Sequence, residues 1–371
     1  MKKIYVLFLV LLFQNLFAQT SPDDDIQISI LTVGTADESH SLYGHTAIRI
    51  QDDFRGIDHV FNYGMFDFST PNFMLRFVKG DMQYFAGAYP YADFEYNYRY
   101  ENRSIYEQTL ALSTEEKLNL INALQESIKG DDKFYTYKFI DRNCTTKVVD
   151  VVNSILQDKK VIYKHDISDL TYRDVLYPYA ENHFFQKLGI NIMFGTKVDD
   201  QASKVFLPFD LKNNLDKTIY KNKPLVTKNV TLFEAHREPK KVWWDSIYSL
   251  IFVLTLLIVI PKKTIAKTYF LVSGVLGIFF CLIGFYSFHQ ELLWNYNALL
   301  FNPILILAVY FDWKKNSRAF VWTSYITLVC TVLYLIYMLD KIHLGIVWPF
   351  IIANSILLLR GLLPYTTKKK S

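Results

Sequence analysis

The last third of the chain is far more apolar than the rest, and this uneven distribution constrains the fold more than any motif does. Between Trp243 and Leu363 charged residues are confined almost entirely to short breaks, while the region before Trp243 has the mixed composition of a globular protein. Each apolar stretch in this part is close to the roughly 20 residues that a helix needs to cross a hydrocarbon core about 30 Å thick. The five stretches are 243–260, 268–288, 292–311, 319–339 and 342–359. The sequence therefore predicts an α-helical membrane domain of five transmembrane helices over residues 243–363, and it excludes a purely soluble enzyme, a disordered protein and a fibrous repeat.

The first residues have the pattern of an export signal. Two lysines follow Met1, residues 4–13 are apolar, and a small residue, Ala18, precedes Gln19. The apolar run is too short to span a bilayer comfortably. We therefore predict a cleaved signal peptide over residues 1–18, with an uncleaved anchor as the alternative.

The basic residues between the apolar stretches predict the orientation of the chain in the membrane. If the region before Trp243 is exported, the loops 261–267 and 314–318 and the tail 364–371 face the cytoplasm, and these segments are rich in lysine and arginine. Such enrichment is typical of cytoplasmic loops. We expect a multi-pass membrane protein with an exported N-terminal region and a cytoplasmic C-terminus. The net charge of +4 is too small and too dispersed to indicate nucleic acid as a partner.

The exported region, residues 19–210, has the pattern of an α+β domain, and the polar segment 211–242 is expected to link it to the membrane part. Alternating apolar residues predict strands, as where Ile26, Ile28 and Ile30 share one face. Ser113 or Thr114 can cap a helix that ends before Gly130. The predicted strands are 26–32, 46–50, 59–63, 105–112 and 135–139, and the predicted helices are 113–127 and 144–156.

Cys144 is the thiol that the exported region offers for chemistry. The other two cysteines, Cys281 and Cys330, lie in apolar stretches, so no disulfide can form within the exported region. Cys144 begins a predicted helix, and a helix N-terminus stabilises an anion such as a thiolate. Its polar neighbours favour a nucleophile over the alternative, a buried structural thiol.

A cysteine nucleophile needs a base, and His45 stands out among the exported histidines. It follows Gly44 and begins a predicted strand, which would hold its imidazole rigidly. A third group should orient the ring, and the next strand offers Asn62, Asp58 and His59. Alternation places Asn62 and Asp58 on one face and His59 on the other, so the choice of the orienting residue stays open.

Two neighbours of Cys144, Asn143 and Thr145, are candidates for supporting the nucleophile or the oxyanion. The backbone N–H of Cys144 is itself a natural oxyanion donor. A zinc site is not expected, because the exported region has no second cysteine and no HExxH or HxxEH run. No glycine-rich phosphate loop is present either, and we expect neither a metal nor another cofactor.

Polar residues around the third apolar stretch are unusual for a membrane part. Pro303 can break the helix there. The polar residues are candidates for a groove that receives a lipid headgroup or the acyl chains of a lipid-modified protein, and hydrogen bonding between neighbouring helices is the alternative. They are His289, Asn295, Asn297 and Asn302.

A histidine on an early strand followed by a cysteine that opens a later helix resembles the circularly permuted NlpC/P60 group of papain-like enzymes. More closely, the chain resembles the lipoprotein N-acyltransferases of the Bacteroides type, in which a periplasmic domain precedes five membrane helices. The resemblance covers nearly the whole mature chain and depends on short motifs in a fixed order. These are Gly44-His45-Thr46-Ala47, Asn62-Tyr63-Gly64, Asn143-Cys144-Thr145-Thr146 and Leu207-Pro208 in the exported region, and His289, Asn295, Asn297 and Asn302-Pro303 in the membrane part.

This resemblance implies a permuted NlpC/P60-like periplasmic domain, a location in the bacterial inner membrane, and an acyl-transfer reaction. Cys144 and His45 would take an acyl chain from a membrane phospholipid and pass it, through a thioester, to the α-amino group of a lipidated N-terminal cysteine on a lipoprotein. Two other functions stay open. They are a membrane-tethered cysteine peptidase or amidase acting on peptidoglycan, and a non-catalytic periplasmic binding or sensory module.

Overall fold

The computed structural model describes residues 25–67, 69–156, 162, 169–238 and 242–367. The predicted signal peptide and the three lysines of the predicted cytoplasmic tail lie outside the described residues.

A seven-stranded antiparallel sheet forms the centre of the exported region, and its strand order is β6-β4-β3-β2-β1-β5-β9. A separate two-stranded ribbon consists of β7 (Ile219–Tyr220) and β8 (Lys223–Pro224). The strands of the large sheet are β1 (Gln27–Val33), β2 (His45–Asp52), β3 (Ile57–Met65), β4 (Gln83–Pro90), β5 (Ile105–Leu110), β6 (Phe134–Thr136) and β9 (Val226–Phe233). Each of the five predicted strands overlaps one of these.

Helices cover both faces of this sheet. On one face, Ile28 and Ile48 share an apolar core with residues of two helices, among them Leu120 and Val148. On the other face, Leu31, Val60 and Phe94 pack together. The helices of this region are α1 (Phe73–Lys79), α2 (Tyr91–Tyr100), α3 (Thr114–Ser127), α4 (Cys144–Ile155), α5 (Tyr172–Leu176), α6 (Phe184–Met193) and α7 (Pro208–Leu215). The structure thus has the expected helices around one sheet, while the relation to the NlpC/P60 fold stays a prediction.

The segment expected to be a polar linker contributes to the sheet instead. Strand β9 pairs with β5 from Ile105 to Leu110 and covers that edge of the sheet. Several of its side chains are polar and exposed, because an edge strand presents much of its surface to solvent. The exported domain therefore extends past residue 210 to Phe233.

The membrane part has fewer long helices than the sequence predicts. In the described residues three helices are long and apolar enough to cross a membrane: α9 (Lys263–Tyr286), α11 (Ser317–Met338) and α12 (Leu344–Thr367). The third predicted stretch is broken, since Gln290–Leu299 and α10 (Ile304–Trp313) meet at a bend of 40° and count together as a fourth span at most. The first predicted stretch yields α8 (Ile247–Val259), whose 13 residues reach about 20 Å. Five spans are therefore not confirmed.

Arg173 on α5 ties the exported domain to the membrane part. Its guanidinium pairs with Asp199 at 2.7 Å and donates to the Tyr296 hydroxyl at 3.0 Å. That hydroxyl donates to the second oxygen of Asp199 at 2.8 Å and lies 3.0 Å from Nε2 of His343. We call these four residues the docking cluster, because two belong to the exported domain and two to the membrane part.

Gly195 forms a second point of attachment. Its N–H donates to the Glu291 carbonyl at 2.7 Å. A Cβ at Gly195 would lie 1.9 Å from the Leu293 carbonyl oxygen, so a larger residue would force the two parts away from each other.

Candidate active site

Cys144 is the first residue of α4, and its neighbours fix the start of that helix. The Asn143 side chain accepts a hydrogen bond from the Thr146 N–H at 2.9 Å, and the Thr146 hydroxyl accepts one from the Asn143 N–H at 2.8 Å. This reciprocal pair is a capping box. The Thr145 hydroxyl lies 3.0 Å from the Thr46 hydroxyl on β2. Asn143 and Thr145 therefore hold α4, and with it the thiol, in place against β2.

His45 begins β2 and is oriented by Asn62 on β3. Its Nε2 lies 3.0 Å from Asn62 Oδ1, and the Asn62 amide donates to the Val60 carbonyl at 3.3 Å. Asn62 is only 2% exposed. Since Nε2 faces Asn62, Nδ1 is the nitrogen left for the Cys144 thiol, with which His45 shares a hydrogen bond. The structure therefore brings together a cysteine, a histidine and an asparagine, an arrangement that papain-like enzymes use.

The other two candidates for the orienting role lie elsewhere. Asp58 is bound by the Arg49 guanidinium through two contacts of 2.7 Å. His59 is exposed and lies across from Pro90 on β4. The register of β3 against β2 explains why Asn62, and not Asp58, reaches His45. Asn62 pairs with Ala47 near the start of β2, whereas Asp58 pairs with Gln51 near its end.

The surroundings of Cys144 favour the thiolate. Burial raises the pKa of the thiol, but the charge of His45 and hydrogen bonds from His45, the Thr46 N–H and the Thr145 hydroxyl lower it. Together, these opposing effects leave the pKa of Cys144 below its ordinary value. The N-terminus of α4 acts in the same direction. A lowered pKa raises the fraction of nucleophilic thiolate at neutral pH.

Two glycines, Gly44 and Gly64, lie next to the pair formed by Cys144 and His45. Gly44 has a φ of +84°, and a Cβ there would lie 2.5 Å from the Val33 carbonyl oxygen. Gly64 has a φ of +86°, and its Cβ would lie 3.7 Å from the Cβ of Cys144. Both positions have a left-handed backbone, which only glycine adopts without strain, and at Gly44 a Cβ would also clash with the backbone of β1.

Cys144 and His45 line a cavity of about 360 Å³. Aromatic side chains supply much of its wall, among them Phe73 and Phe77 of α1 and Tyr84 of β4. An apolar wall around a few polar groups is typical of a small-molecule site. This wall suits a substrate with a hydrocarbon chain.

Comparison with known families identifies the part of the chain that carries this site. Residues 13–176 match the model of the Lnb N-terminal periplasmic domain. The exported region carries an Lnb N-terminal periplasmic domain. The matched range contains His45, Asn62 and Cys144, and it confirms the predicted resemblance to the lipoprotein N-acyltransferases of the Bacteroides type. Neither the curated proteins nor the solved structures yield a match.

The four polar residues predicted to form a groove in the membrane part fall into two groups. One residue lines a cavity, and the other three make hydrogen bonds. His289 lines a second cavity, next to the one that holds Cys144. Asn295 donates to two carbonyls at the end of α6, both at 2.8 Å, and Asn297 donates to one of them at 3.1 Å. Asn302 accepts a bond from the N–H two residues further on, at 2.9 Å. The contacts of these three asparagines, all buried, support a role in packing and docking rather than in a lipid groove.

The sequence does not predict a functional role for Tyr135, which the structure places near Cys144 in the Lnb domain. Its hydroxyl is buried and makes no hydrogen bond of standard geometry in the described residues. Burial and the charge of Cys144 raise the pKa of Tyr135 above its ordinary value, so the hydroxyl stays protonated beside the thiol. The strand that carries it, β6, has three residues, too few for an alternation pattern that would mark a functional side chain.

Proposed function

We propose that this protein is a membrane-bound lipoprotein N-acyltransferase that forms a thioester on Cys144. The acyl chain would come from a phospholipid and pass to the α-amino group of a lipidated N-terminal cysteine. The observation that carries the proposal is the grouping of Cys144, His45 and Asn62 in an aromatic cavity beside helices able to span a membrane. The match to the Lnb N-terminal periplasmic domain supports it.

In the first half-reaction the Cys144 sulfur attacks the ester carbonyl of the phospholipid. His45 takes the thiol proton at Nδ1 and gives it to the departing alkoxide, which leaves as a lysophospholipid. Asn62 keeps the ring in place by its contact with Nε2. The carbonyl carbon of the acyl chain is then bonded to sulfur.

Two donors are available for the oxyanion that forms during this attack. The N–H of Cys144 is at the first position of α4, where a helix leaves its N–H groups without intrahelical partners. As the second donor we propose the Tyr135 hydroxyl, which is protonated, makes no standard hydrogen bond in the described residues and, like Cys144, lies next to Gly64. Donors fixed before the reaction stabilise the developing charge most effectively.

In the second half-reaction the acceptor amine attacks the thioester. The C–S bond breaks, the C–N bond of an amide forms, and His45 carries a proton from the nitrogen to the departing sulfur. A water molecule in place of the amine would give hydrolysis, the reaction of the peptidase or amidase alternative. Exclusion of water by the apolar wall favours transfer.

The test compares lipoprotein N-termini by mass spectrometry in cells with and without the gene, after any paralogue has been removed. We expect triacylated N-termini to become diacylated, and restoration by the wild-type gene but not by Cys144→Ala. An acyl mass on Cys144 of the purified protein would establish the thioester. Unchanged triacylation would refute the acyltransferase, and restoration by Cys144→Ala would favour a non-catalytic module.

A further inference from the structure

A second cavity, of about 430 Å³, lies where the Lnb domain meets the membrane part. Its wall combines residues of α1, α6 and β4 with those of Gln290–Leu292. The residues that it shares with the Cys144 cavity are Ser39, Tyr43, Phe77, Tyr84, Tyr137 and Phe139. Because the two cavities share these wall residues, the second cavity lies directly beside the one that holds the thiol.

Glu291 lines this second cavity with a carboxylate that is only partly hydrogen-bonded. The residue is 1% exposed, and its Oε1 accepts a hydrogen bond from the Ile140 N–H at 3.0 Å. Its Oε2 has no hydrogen-bond partner in the described residues. A buried carboxylate oxygen without a donor is costly, so a ligand that supplies one would bind favourably.

The rest of the wall determines which ligand fits. Among the described residues that line the cavity there is no lysine or arginine, and most of the wall is apolar or aromatic. His289 is engaged through Nε2, which lies 2.9 Å from the Phe77 carbonyl oxygen. A phosphate would find no fixed cation here, whereas a primary ammonium attached to acyl chains finds a carboxylate and apolar walls.

We propose that this cavity, which we call the acceptor chamber, binds a lipid-modified primary amine with its ammonium group on Oε2 of Glu291. This assignment rests on the proposed function and gives the second half-reaction its binding site. The ammonium releases one proton to water, and the amine leaves Oε2 and attacks the thioester carbon on Cys144, passing a second proton through His45 to the sulfur. The C–S bond breaks, and an amide and a free thiol form.

Glu291→Gln is the sharpest test, because the amide retains an oxygen for the Ile140 N–H and replaces the charged acceptor Oε2 with an uncharged NH2 group, which cannot accept from an ammonium. The full-length protein is reconstituted with a phospholipid donor and a synthetic diacylglyceryl-cysteinyl peptide as acceptor. We expect the acyl-enzyme on Cys144 to form at the wild-type rate, while its transfer to the peptide slows about 10- to 100-fold. Glu181→Gln, at an exposed glutamate outside the chamber wall, should change neither half-reaction.

A second variant tests the chamber without touching its charge. Gly189 lines the chamber from α6, and a Cβ built there meets no atom within 4 Å. Gly189→Phe should fill the chamber and slow transfer about 10- to 100-fold, with acyl-enzyme formation unchanged. Gly345→Phe is the matched control, since Gly345 is a helical glycine outside the chamber wall whose Cβ would also meet nothing within 4 Å.

The outcomes separate this inference from the proposed function. Wild-type transfer rates in both Glu291→Gln and Gly189→Phe would overturn the acceptor chamber while leaving the acyltransferase intact. Loss of acyl-enzyme formation in a folded Gly189→Phe protein would also overturn it, since the cavity would then serve the phospholipid. Absence of any acyl-enzyme in the wild-type protein would instead refute the proposed function.

Discussion

This molecule contains two largely buried polar clusters, each with a histidine, that serve different ends. In the docking cluster, Arg173 and both oxygens of Asp199 are engaged, and their partners come from both parts of the chain. In the site of Cys144, His45 and Asn62, the thiol faces a cavity, and its contact with the Thr145 hydroxyl is 4.0 Å long. This contrast shows that a cluster whose charged groups are paired across two parts of the chain holds structure, while a cluster that places a reactive atom at the wall of a cavity is suited to chemistry.

The largest effect is expected from removing the reacting groups. Cys144→Ala and His45→Ala should each lower acyl transfer by about 10⁴-fold or more, because neither nucleophile nor base can be replaced by a neighbour. Lysophospholipid release and acyl-enzyme mass measure this directly. The controls are Cys281→Ala and His59→Ala, which remove a thiol and an exposed imidazole outside the site. Equal losses in the controls would contradict the assignment.

Breaking the docking cluster should cost stability. Arg173→Met leaves the largely buried Asp199 with only the longer ion pair to Lys341, at 3.8 Å, and breaking a buried ion pair typically costs about 3–5 kcal/mol. Thermal unfolding in detergent should show a clear fall in the midpoint. Lys129→Met removes an exposed pair with Glu126 and should cost at most about 1 kcal/mol. Similar shifts for the two variants would show that the docking cluster adds no special stability.

A smaller effect is expected at the orienting residue. Asn62→Ala should slow thioester formation about 100-fold, because the His45 ring loses the contact that fixes it towards the thiol. Asn62→Asp, which keeps an acceptor oxygen at the same place, should recover much of the rate. Asn213→Ala on the surface of α7 serves as the control. If Asn62→Asp were as slow as Asn62→Ala, an orienting hydrogen bond would not explain the loss.

The smallest effect concerns the ionisation of the thiol. The pKa of Cys144 lies below its ordinary value, so its alkylation by iodoacetamide should reach half its maximum at a lower pH than a model thiol does. In His45→Ala the lowering charge and hydrogen bond are lost while burial, which raises the pKa, remains, so the midpoint should move to higher pH. Peptide mass spectrometry isolates the reaction at Cys144. An unchanged midpoint would show that His45 does not set this pKa.

The sequence predicts the local elements of the site well, because alternation, a helix cap and a lone exported thiol are local signals. It cannot choose between Asn62 and Asp58, which share a face of β3. That choice depends on the register of β3 against β2, which places Asn62 near His45 and leaves Asp58 to Arg49. The sequence also could not identify Glu291, because the hydrogen bond between its side chain and the Ile140 N–H joins residues 151 positions apart.

Strand β9 also sets an order of events in biogenesis. It ends at Phe233, and α8 begins at Ile247, so the last strand of the sheet emerges just ahead of the first membrane helix. Until Phe233 has been exported, β5 presents an open edge, which is prone to pair with other chains. The sheet therefore cannot close before the chain has been exported almost as far as the first residue of α8. A secreted fragment ending at residue 210 would keep that edge open, while one ending just after Phe233 would close it.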